Sequence, residues 1–252
     1  MTKSISEITE LYKQADLKDL PAFIEEFLED ERRGVQTLVN KAKKRLNDLQ
    51  KEKERMFEMF SYERKYEEYE YICGVDEVGC GPLAGPVVAA AVILPKDCDI
   101  LYLNDSKKLT ENKREEIFDE IMEKAVSVGI GFASPERIDE INIRQADFEA
   151  MRTALSKLNV EPDFIMVDGY PIGGIDKKQI SIVKGDSKSA SIAAASIIAK
   201  VTRDRLMSDY EQVFPGYGFA SNKGYGSAEH IKAIKELGPT PIHRKTFIKN
   251  FV

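Results

Sequence analysis

The sequence predicts an α/β fold, a sheet flanked by helices, preceded by a helical N-terminal extension. Residues 1–66 are polar and carry apolar residues at helical spacing. After Glu70 the composition changes abruptly to apolar and β-branched residues, which are typical of strands. From there on, short strand patterns alternate with helical ones. We therefore predict a helical extension at residues 1–68 and one larger domain at residues 69–252.

The extension contains two helical patterns. The first begins at Leu20-Pro21, and proline is favoured in the first turn of a helix. Its apolar stripe consists of Phe23, Ile24, Phe27 and Leu28. Residues 35–69 predict one long charged helix without sustained heptads, which argues against a coiled coil. Two interpretations remain open for the extension: an arm that binds substrate, or a segment that serves packing and solubility.

The next segment carries two adjacent carboxylates. Residues 71–75 and 87–94 predict paired strands around a glycine-rich turn. Asp76 and Glu77 follow the first strand, and neighbouring side chains on a strand point to opposite faces. Two anions at a strand end repel each other unless a cation binds them or a pKa rises. The glycines that follow permit close approach of the backbone to a ligand. This stretch fits either a metal site beside a phosphate-binding groove or an ordinary turn with solvated acids.

A second strand also ends in a carboxylate. The elements expected between the first strand pair and residue 184 are a helix from Thr110 to about Lys124, a strand at residues 125–133, helices that begin at Ser134 and at Asn142, and strands at residues 162–168 and 179–183. Asp168 ends the penultimate strand of this series and is followed by a glycine. It is therefore a second candidate for the site at Asp76 and Glu77.

The most strongly predicted helix covers residues 187–210. Its first turns are rich in alanine and serine, so it can lie very close to a sheet. Asp186 stands where an N-cap residue is expected, and helix capping alone would explain it. Lys200 and Arg203 are expected to be solvated positions of this helix.

The C-terminal part is the basic part of the chain. Residues 181–252 contain 11 basic and 6 acidic residues, whereas the whole chain has a net charge of −6. After the long helix come a Gly/Tyr-rich loop around Tyr225, a short helix at residues 228–237 and a basic tail, His243-Arg244-Lys245. A polyanion would be expected to bind in this part.

Composition limits the possible metal sites. His230 and His243 are the only histidines, which excludes a histidine-rich zinc site, and three cysteines do not suggest a disulfide framework. A metal centre made of carboxylates favours Mg²⁺ or Mn²⁺.

No apolar run is long enough to cross a bilayer, and the N-terminus lacks a signal-peptide pattern. We therefore expect a cytoplasmic monomer without a membrane partner.

Four carboxylates could meet at one point. Asp76, Glu77, Asp168 and Asp186 come from strand ends or a helix start, and neighbouring strands would bring them together. Such a group would be strongly repulsive without divalent cations. Two bound metals suit phosphoryl transfer, because one generates a hydroxide and the other stabilises the leaving oxygen. The residues alone predict a metal-dependent phosphoryl-transfer or hydrolysis enzyme that acts on a polyanion, without revealing the substrate.

Five motifs together resemble bacterial ribonuclease HII. In chain order they are Gly-Val-Asp76-Glu77-Val-Gly79-Cys80-Gly81-Pro-Leu-Ala-Gly-Pro, Asn-Asp-Ser106-Lys107-Lys108-Leu, Val-Asp168-Gly169, Lys184-Gly185-Asp186-Ser-Lys188-Ser with the helix that follows, and Gly-Tyr225-Gly-Ser-x-x-His230. The resemblance extends from about Tyr71 to the C-terminus. A single short motif would be weak evidence, but five in the same order are highly specific.

The resemblance implies an RNase H-like fold: a mixed sheet flanked by helices, with a helical C-terminal portion. It implies endonucleolytic cleavage of the RNA strand of RNA–DNA hybrids by two-metal-ion catalysis with Mg²⁺ or Mn²⁺. It also implies incision on the 5′ side of ribonucleotides embedded in duplex DNA, which leaves 3′-hydroxyl and 5′-phosphate ends. The expected partners are RNA–DNA hybrids and DNA duplexes that contain ribonucleotides.

The resemblance also implies roles for individual residues. Asp76, Glu77, Asp168 and Asp186 match the metal-binding catalytic acids. Gly79, Cys80 and Gly81 would contact the ribose 2′-hydroxyl through the backbone, which distinguishes RNA from DNA. Tyr225 would pack on the sugar of the following deoxynucleotide. The other substrate-binding positions implied are Ser106, Lys107, Lys184 and Lys188.

Two features depart from the family pattern. Cys80 stands where the family usually has an arginine, and a thiol cannot make that arginine's phosphate contact. We therefore expect recognition of the ribonucleotide to be retained with weaker substrate binding. The N-terminal extension lies outside the resemblance and does not resemble the sheet-like N-terminal domain of ribonuclease HIII.

The alternatives to a ribonuclease are a non-catalytic nucleic-acid-binding protein and a DNA nuclease or resolvase of the same fold. The four acids argue against the first, and the glycine turn argues against the second.

Overall fold

A computed structural model describes residues 3–252. The chain forms two compact units, one ending at Phe57 and the other spanning Glu58–Val252. None of the helices in this described range has the length and apolar character needed to cross a membrane.

The first unit is helical, as predicted. Its helices are Ile5–Gln14 (α1), Leu20–Phe27 (α2) and Arg33–Met59 (α3), the last two residues of which belong to the second unit. Its buried core consists of Ile8, Leu20, Phe23, Phe27, Val35, Leu38, Val39 and Ala42. Two members of the predicted stripe, Phe23 and Phe27, are buried, whereas Leu28 is 44% exposed.

The single helix predicted at residues 35–69 is wrong. α3 ends at Met59, and a separate short helix, Ser61–Lys65 (α4), follows. Phe60 separates them because its ψ of 10° lies outside the helical range and interrupts the ladder of hydrogen bonds. Beyond α4, Tyr66 and Tyr69 stack on Phe164 with ring centroids 4.5 and 4.7 Å away. The chain therefore leaves the helix where its aromatic side chains cover the sheet.

The second unit is built on a five-stranded mixed sheet, as predicted. The strands are Ile72–Val78 (β1), Val87–Ile93 (β2), Ser127–Ala133 (β3), Phe164–Asp168 (β4) and Gln179–Ile182 (β5), in the order β3-β2-β1-β4-β5. β1 is antiparallel to β2 and parallel to β4, β2 and β3 are antiparallel, and β4 and β5 are parallel. The helices are Glu111–Lys124 (α5), Pro135–Ile141 (α6), Ile143–Ser156 (α7), Ala190–Val213 (α8), Phe219–Asn222 (α9), Ala228–Leu237 (α10) and Lys245–Ile248 (α11).

Glycines in the strands let two helices approach the sheet closely. A Cβ at Gly74 of β1 would lie 2.1 Å from the carbonyl carbon of Ser191 in α8. Cβ atoms at Gly129 and Gly131 of β3 would each lie 2.0 Å from a main-chain oxygen of α7. Gly74 faces α8, and its neighbours Cys73 and Val75 pack in the cluster that includes α7, so the two helices cover opposite faces. The close approach predicted for the alanine-rich helix is confirmed.

The N-cap residues of three helices can be compared with the helix starts predicted from sequence. Thr110 and Ser134 cap α5 and α6, as expected, because their side chains accept backbone N–H groups of the first turn. The capping role predicted for Asp186 is wrong, since α8 begins at Ala190 and its N-cap is Ser189. The buried carboxylate of Glu63 accepts the N–H of Ser191 (2.8 Å) and the hydroxyl of Ser189 (2.7 Å). A distant acid therefore stabilises this helix start, and Asp186 lies in the turn before it.

Candidate active site

Three aspartates from separate elements converge at one end of the sheet. Asp76 comes from β1, Asp168 ends β4, and Asp186 lies in the turn Gly185–Ser187 before α8. One oxygen from each carboxylate lies within 4.8 Å of the others. The N–H of Gly185 donates to Asp168 Oδ1 (2.6 Å), which attaches the turn carrying Asp186 to the end of β4. Parallel pairing of β1 with β4 places the other two acids side by side.

The first strand is longer than predicted. β1 does not end before the carboxylates, because Asp76 pairs with Ala90 and Glu77 with Ala89 of β2. The pairing of β1 with β4 stops at Val75, however, so both acids lie beyond the end of that neighbouring ladder. Antiparallel pairing with β2 thus extends β1 beyond Val75. On its other edge β1 no longer pairs with β4 there, which leaves room for ligands beside the two acids.

Glu77 points to the opposite face from Asp76. Its carboxylate lies with Cys80 Sγ and Asp147 of α7 in a second group whose ligand atoms are within 4.8 Å of one another. Burial and the charge of Glu77 raise the pKa of Asp147 to about 8. Asp147 could not be predicted from the sequence, because nothing in the helical pattern of α7 distinguishes it. The predicted meeting of four acids is thus a group of three aspartates with Glu77 on the adjoining face.

Burial and mutual repulsion raise the pKa values of Asp76, Glu77 and Asp186. The pKa of Asp76 is raised by burial, then by the charges of Glu77 and Asp168. Burial and the charge of Asp168 raise the pKa of Glu77, and burial with Asp105 and Asp168 raises that of Asp186. Carboxylate oxygens so placed fit a hard divalent cation, which would replace repulsion with attraction. Asp76, Asp168 and Asp186 could therefore hold a metal ion.

The lysines predicted to bind phosphates differ in their surroundings. Burial alone would lower the pKa of Lys107, but the charges of Asp105, Asp76 and Asp186 raise it above its ordinary value. Lys107 therefore lies within electrostatic reach of the aspartates. Lys188 Nζ donates to the carbonyl of Val183 (2.7 Å). Lys184 adopts a left-handed backbone with φ of 57° at the start of the turn that carries Asp186.

Two serines link the site to α8. Ser106 is buried, and its hydroxyl lies 3.0 Å from that of Ser196. Ser196 also bonds the carboxyl group of Asp76 and thereby favours its charged form. In the sequence, Ser196 is only one of the alanine and serine residues that permit close packing of the helix. The substrate-binding role implied for Ser106 remains a prediction.

The glycine-rich turn and Tyr225 are neighbours. Gly81 is exposed, and a Cβ built on it would lie 3.8 Å from the Tyr225 ring. Tyr225 is 44% exposed. The N–H of Leu83 donates to the carbonyl of Gly224 (2.8 Å), which joins the two loops through their backbones. The two segments implied to contact sugar therefore form one continuous surface.

The two histidines form a buried pair that is hydrogen-bonded to the backbone of Tyr225. The N–H of Thr240 donates to His243 Nδ1 (2.9 Å), so the proton of a neutral His243 is on Nε2. That group donates to His230 Nε2 (3.0 Å), and His230 Nδ1–H donates to the carbonyl of Tyr225 (2.8 Å). Every polar atom of the pair is satisfied only when both rings are neutral. Their role is therefore structural.

We expect the histidine pair to make folding sensitive to acid. Burial and the charge of His230 lower the pKa of His243 to about 4 from an ordinary 6.5, and burial lowers that of His230. Stability from the neutral pair is fully present above pH 6.5 and falls as the pH drops toward 4, by up to ~1.4 kcal/mol per unit for each ring. Urea unfolding at pH 7 and pH 5 should show a larger loss for the wild type than for His243→Gln. Equal losses would contradict this assignment, since all other acids titrate in both proteins.

Two arginines contradict the expectations from sequence. Arg203 was expected to be solvated and Arg244 to belong to a basic tail for a polyanion, yet both are 0% exposed. Their guanidinium groups donate to main-chain carbonyls around the glycine-rich turn. For Arg203 a signal was available, because it lies seven residues after Ser196 and so on the same face of α8. Arg244 had no comparable local signal.

Comparisons with known proteins agree with this architecture. The family model described as Ribonuclease HII matches residues 73–250, and that of the Ribonuclease HII N-terminal domain matches residues 4–67. The extension, placed outside the resemblance in the sequence analysis, is thus also part of the family pattern. A ribonuclease HII from Lachnoclostridium phytofermentans is 59% identical over 99% of this chain and 98% of its own length. One from Clostridioides difficile is 50% identical over 99% of both chains.

A solved structure has a similar fold. The crystal structure of ribonuclease H2 from Pyrococcus horikoshii OT3 has a TM-score of 0.62 and 28% identity, covering 72% of this chain and 96% of that one. The family models together account for both units, and the relatives align along nearly the whole sequence. The chain therefore belongs to the ribonuclease HII family of endonucleases, hydrolases that act on RNA paired with DNA.

Proposed function

We propose that Asp76, Glu77, Asp168 and Asp186 are the catalytic acids and that they hold two Mg²⁺ or Mn²⁺ ions. The observation that carries this proposal is the convergence of three aspartate oxygens within 4.8 Å, with Glu77 on the adjoining face of β1. Only oxygen donors are present in the aspartate group, which is the donor set that hard cations prefer. The raised pKa values of Asp76 and Asp186 are the expected consequence of such a group without its counter-charge.

When bound, the ions would activate water and offset the charge on the leaving 3′ oxygen. The chain's own residues would orient the reacting strand. The N–H of Glu77 donates to Asp76 Oδ1 (2.9 Å) and that of Gly185 donates to Asp168 Oδ1 (2.6 Å), so both carboxylates are held in place before substrate binds. The Lys107 ammonium contributes positive charge near the aspartates, where a phosphate oxygen would lie.

The proposed substrates are RNA–DNA hybrids and duplex DNA that contains a ribonucleotide, incised on the 5′ side of the ribonucleotide with 3′-hydroxyl and 5′-phosphate products. The turn at Gly79, Cys80 and Gly81 supports ribose recognition, because it passes from the buried Gly79 to the exposed Gly81 and its backbone groups can there reach a 2′-hydroxyl. Tyr225 lies against Gly81 and would pack on the next sugar. The other proposed substrate contacts are Ser106, Lys107, Lys184 and Lys188.

The proposed selectivity can be tested with two duplexes that differ in one oxygen atom. With Mg²⁺ or Mn²⁺, we expect cleavage of a duplex with one ribonucleotide to exceed that of the all-DNA duplex by roughly 10⁴-fold, because a site built to bind a hydroxyl rejects the analogue that lacks it. Initial rates and end-group analysis of the products measure this. Equal cleavage of both duplexes, or cleavage in EDTA, would exclude the proposal.

We further propose that the protein acts in the cytoplasm as a monomer. The lack of a membrane-spanning helix in the described chain is compatible with that location. Sedimentation at micromolar concentration should give one species near 28.4 kDa. A stable dimer would overturn the second part of this proposal.

A further inference from the structure

The two buried arginines bind no carboxylate among the ion pairs of the described residues. Arg244 donates to the carbonyls of Gly79 (2.5 Å), Cys80 (3.0 Å) and Gly85 (2.9 and 3.0 Å). Arg203 donates to those of Pro86, Ala84 and Lys223. Burial and the charge of Arg203 lower the pKa of Arg244 to about 10, so it still carries its charge at neutral pH. Two like charges buried together are costly, and the hydrogen bonds that compensate them run to backbone oxygens of the recognition loops.

The bonds of Arg244 determine which way the turn faces. In a trans peptide the C=O and the following N–H point in opposite directions, and the described chain has no cis peptide bond. Because the carbonyls of Gly79 and Cys80 point at the buried guanidinium, the N–H groups of Cys80 and Gly81 must point away from it. The exposed side of Gly81 faces the ring of Tyr225. Two adjacent donors therefore point away from the buried guanidinium, in a turn whose Gly81 adjoins Tyr225.

The segment before Arg244 fixes its position relative to the turn. The N–H of Arg244 donates to the carbonyl of Leu83, and that of Gly85 donates to the carbonyl of Ile242, both at 2.9 Å. Ala84 and His243 form an isolated antiparallel bridge between these bonds. A lysine at position 244 would keep the charge, but its single ammonium lacks the planar fork that reaches three carbonyls at once.

We propose that Arg244 is a positioning residue for ribonucleotide recognition, which orients the Cys80 and Gly81 N–H groups toward the 2′-hydroxyl. This inference rests on the proposed function and adds to it the residue that preorganises the turn. Arg244 does not touch the substrate and acts through the backbone of residues 79–81. Its loss should weaken discrimination between ribose and deoxyribose more than it weakens attraction to phosphates.

The test compares Arg244→Lys with the matched control Ile234→Ala. Ile234 is buried in a hydrophobic cluster with Ile242 and Ile248, which flank Arg244 in the chain, and its apolar side chain cannot donate to a carbonyl, so we expect its truncation to lower stability alone. Well below the unfolding temperature, we expect Arg244→Lys to lower kcat/KM on the single-ribonucleotide duplex about 10- to 100-fold, with the Kd for all-DNA duplex within about twofold of wild type. Ile234→Ala should change neither.

Unchanged kcat/KM in Arg244→Lys, or an equal loss in Ile234→Ala at matched thermal stability, would overturn the proposal. If Arg244→Lys does not fold, a measurement on the wild-type protein tests the proposal instead. Replacing the ribonucleotide with its 2′-fluoro analogue, a poor acceptor, should lower kcat/KM at least about tenfold, and equal cleavage would show that no N–H reads this position. Failure of the proposed function would look different, because the wild type would then not prefer the ribonucleotide duplex at all.

Discussion

Asp76→Asn is expected to lower cleavage of the ribonucleotide-containing duplex by roughly 10³-fold or more, an effect of about 4 kcal/mol on the activation free energy. The carboxylate of Asp76 lies within 4.8 Å of those of Asp168 and Asp186, and an amide supplies neither its charge nor its second acceptor oxygen. Binding of the duplex should persist, because the proposed phosphate contacts of Lys107, Lys184 and Lys188 are retained in this variant. Single-turnover rates and a binding titration measure the two effects separately.

The same substitution should stabilise the fold when metal is removed. Burial, with the charges of Glu77 and Asp168, raises the pKa of Asp76 above its ordinary 3.8. The folded state therefore loses stability relative to the unfolded chain as the pH rises above 3.8, until the folded pKa is passed. Asparagine does not ionise, so in EDTA at pH 7 the Tm of Asp76→Asn should exceed that of the wild type. Added Mg²⁺ should narrow the difference.

An exposed aspartate provides the control for this effect. The ammonium of Lys124 lowers the pKa of Asp99, so Asp99→Asn should leave the Tm unchanged or slightly reduced and the cleavage rate unaffected. A Tm for Asp76→Asn equal to or below that of the wild type in EDTA would show that the aspartate group is not electrostatically strained. Substantial residual turnover would remove Asp76 from the proposed catalytic acids.

Gly74→Ala is expected to destabilise the protein by about 3 kcal/mol or more and to abolish most activity. The new Cβ would lie 2.1 Å from the Ser191 carbonyl carbon and 2.4 Å from the Ile192 nitrogen. These are backbone atoms, which cannot rotate away, so α8 would have to move off β1. That movement would separate Asp186, in the turn before α8, from Asp76. Urea unfolding and cleavage rates measure the two consequences.

Gly173→Ala is the matched control. A Cβ there would lie 3.8 Å from the Phe148 ring, which is ordinary van der Waals contact, so the change should stay within about 0.5 kcal/mol. If the urea midpoint of Gly74→Ala equalled that of the wild type, α8 would have to lie farther from the sheet in solution than described here. Normal stability with lost activity would instead indicate a shift confined to the start of α8.

Helix and strand identities in the second unit followed from local sequence. Alternation of apolar strands with capped helices predicted the mixed α/β architecture, and Thr110 and Ser134 marked two helix starts correctly. Local patterns failed where tertiary contacts compete. Asp186 had every local property of an N-cap, but Glu63, more than a hundred residues earlier, helps stabilise that helix start. No short window contains both residues.

The sequence by itself determined the chemistry of this protein: carboxylates placed after strands, few other metal ligands, a glycine-rich turn and the family to which they point. Local periodicity and residue type carry that information, because they reflect burial and backbone preference at each position. Only the tertiary structure decided that Glu77 lies on the adjoining face of β1, with Cys80 and Asp147, and that Arg203 and Arg244 are buried beneath the recognition loops. Those outcomes depend on which distant carbonyls and charges meet each side chain, and such pairings arise only when the sheet and its loops are assembled.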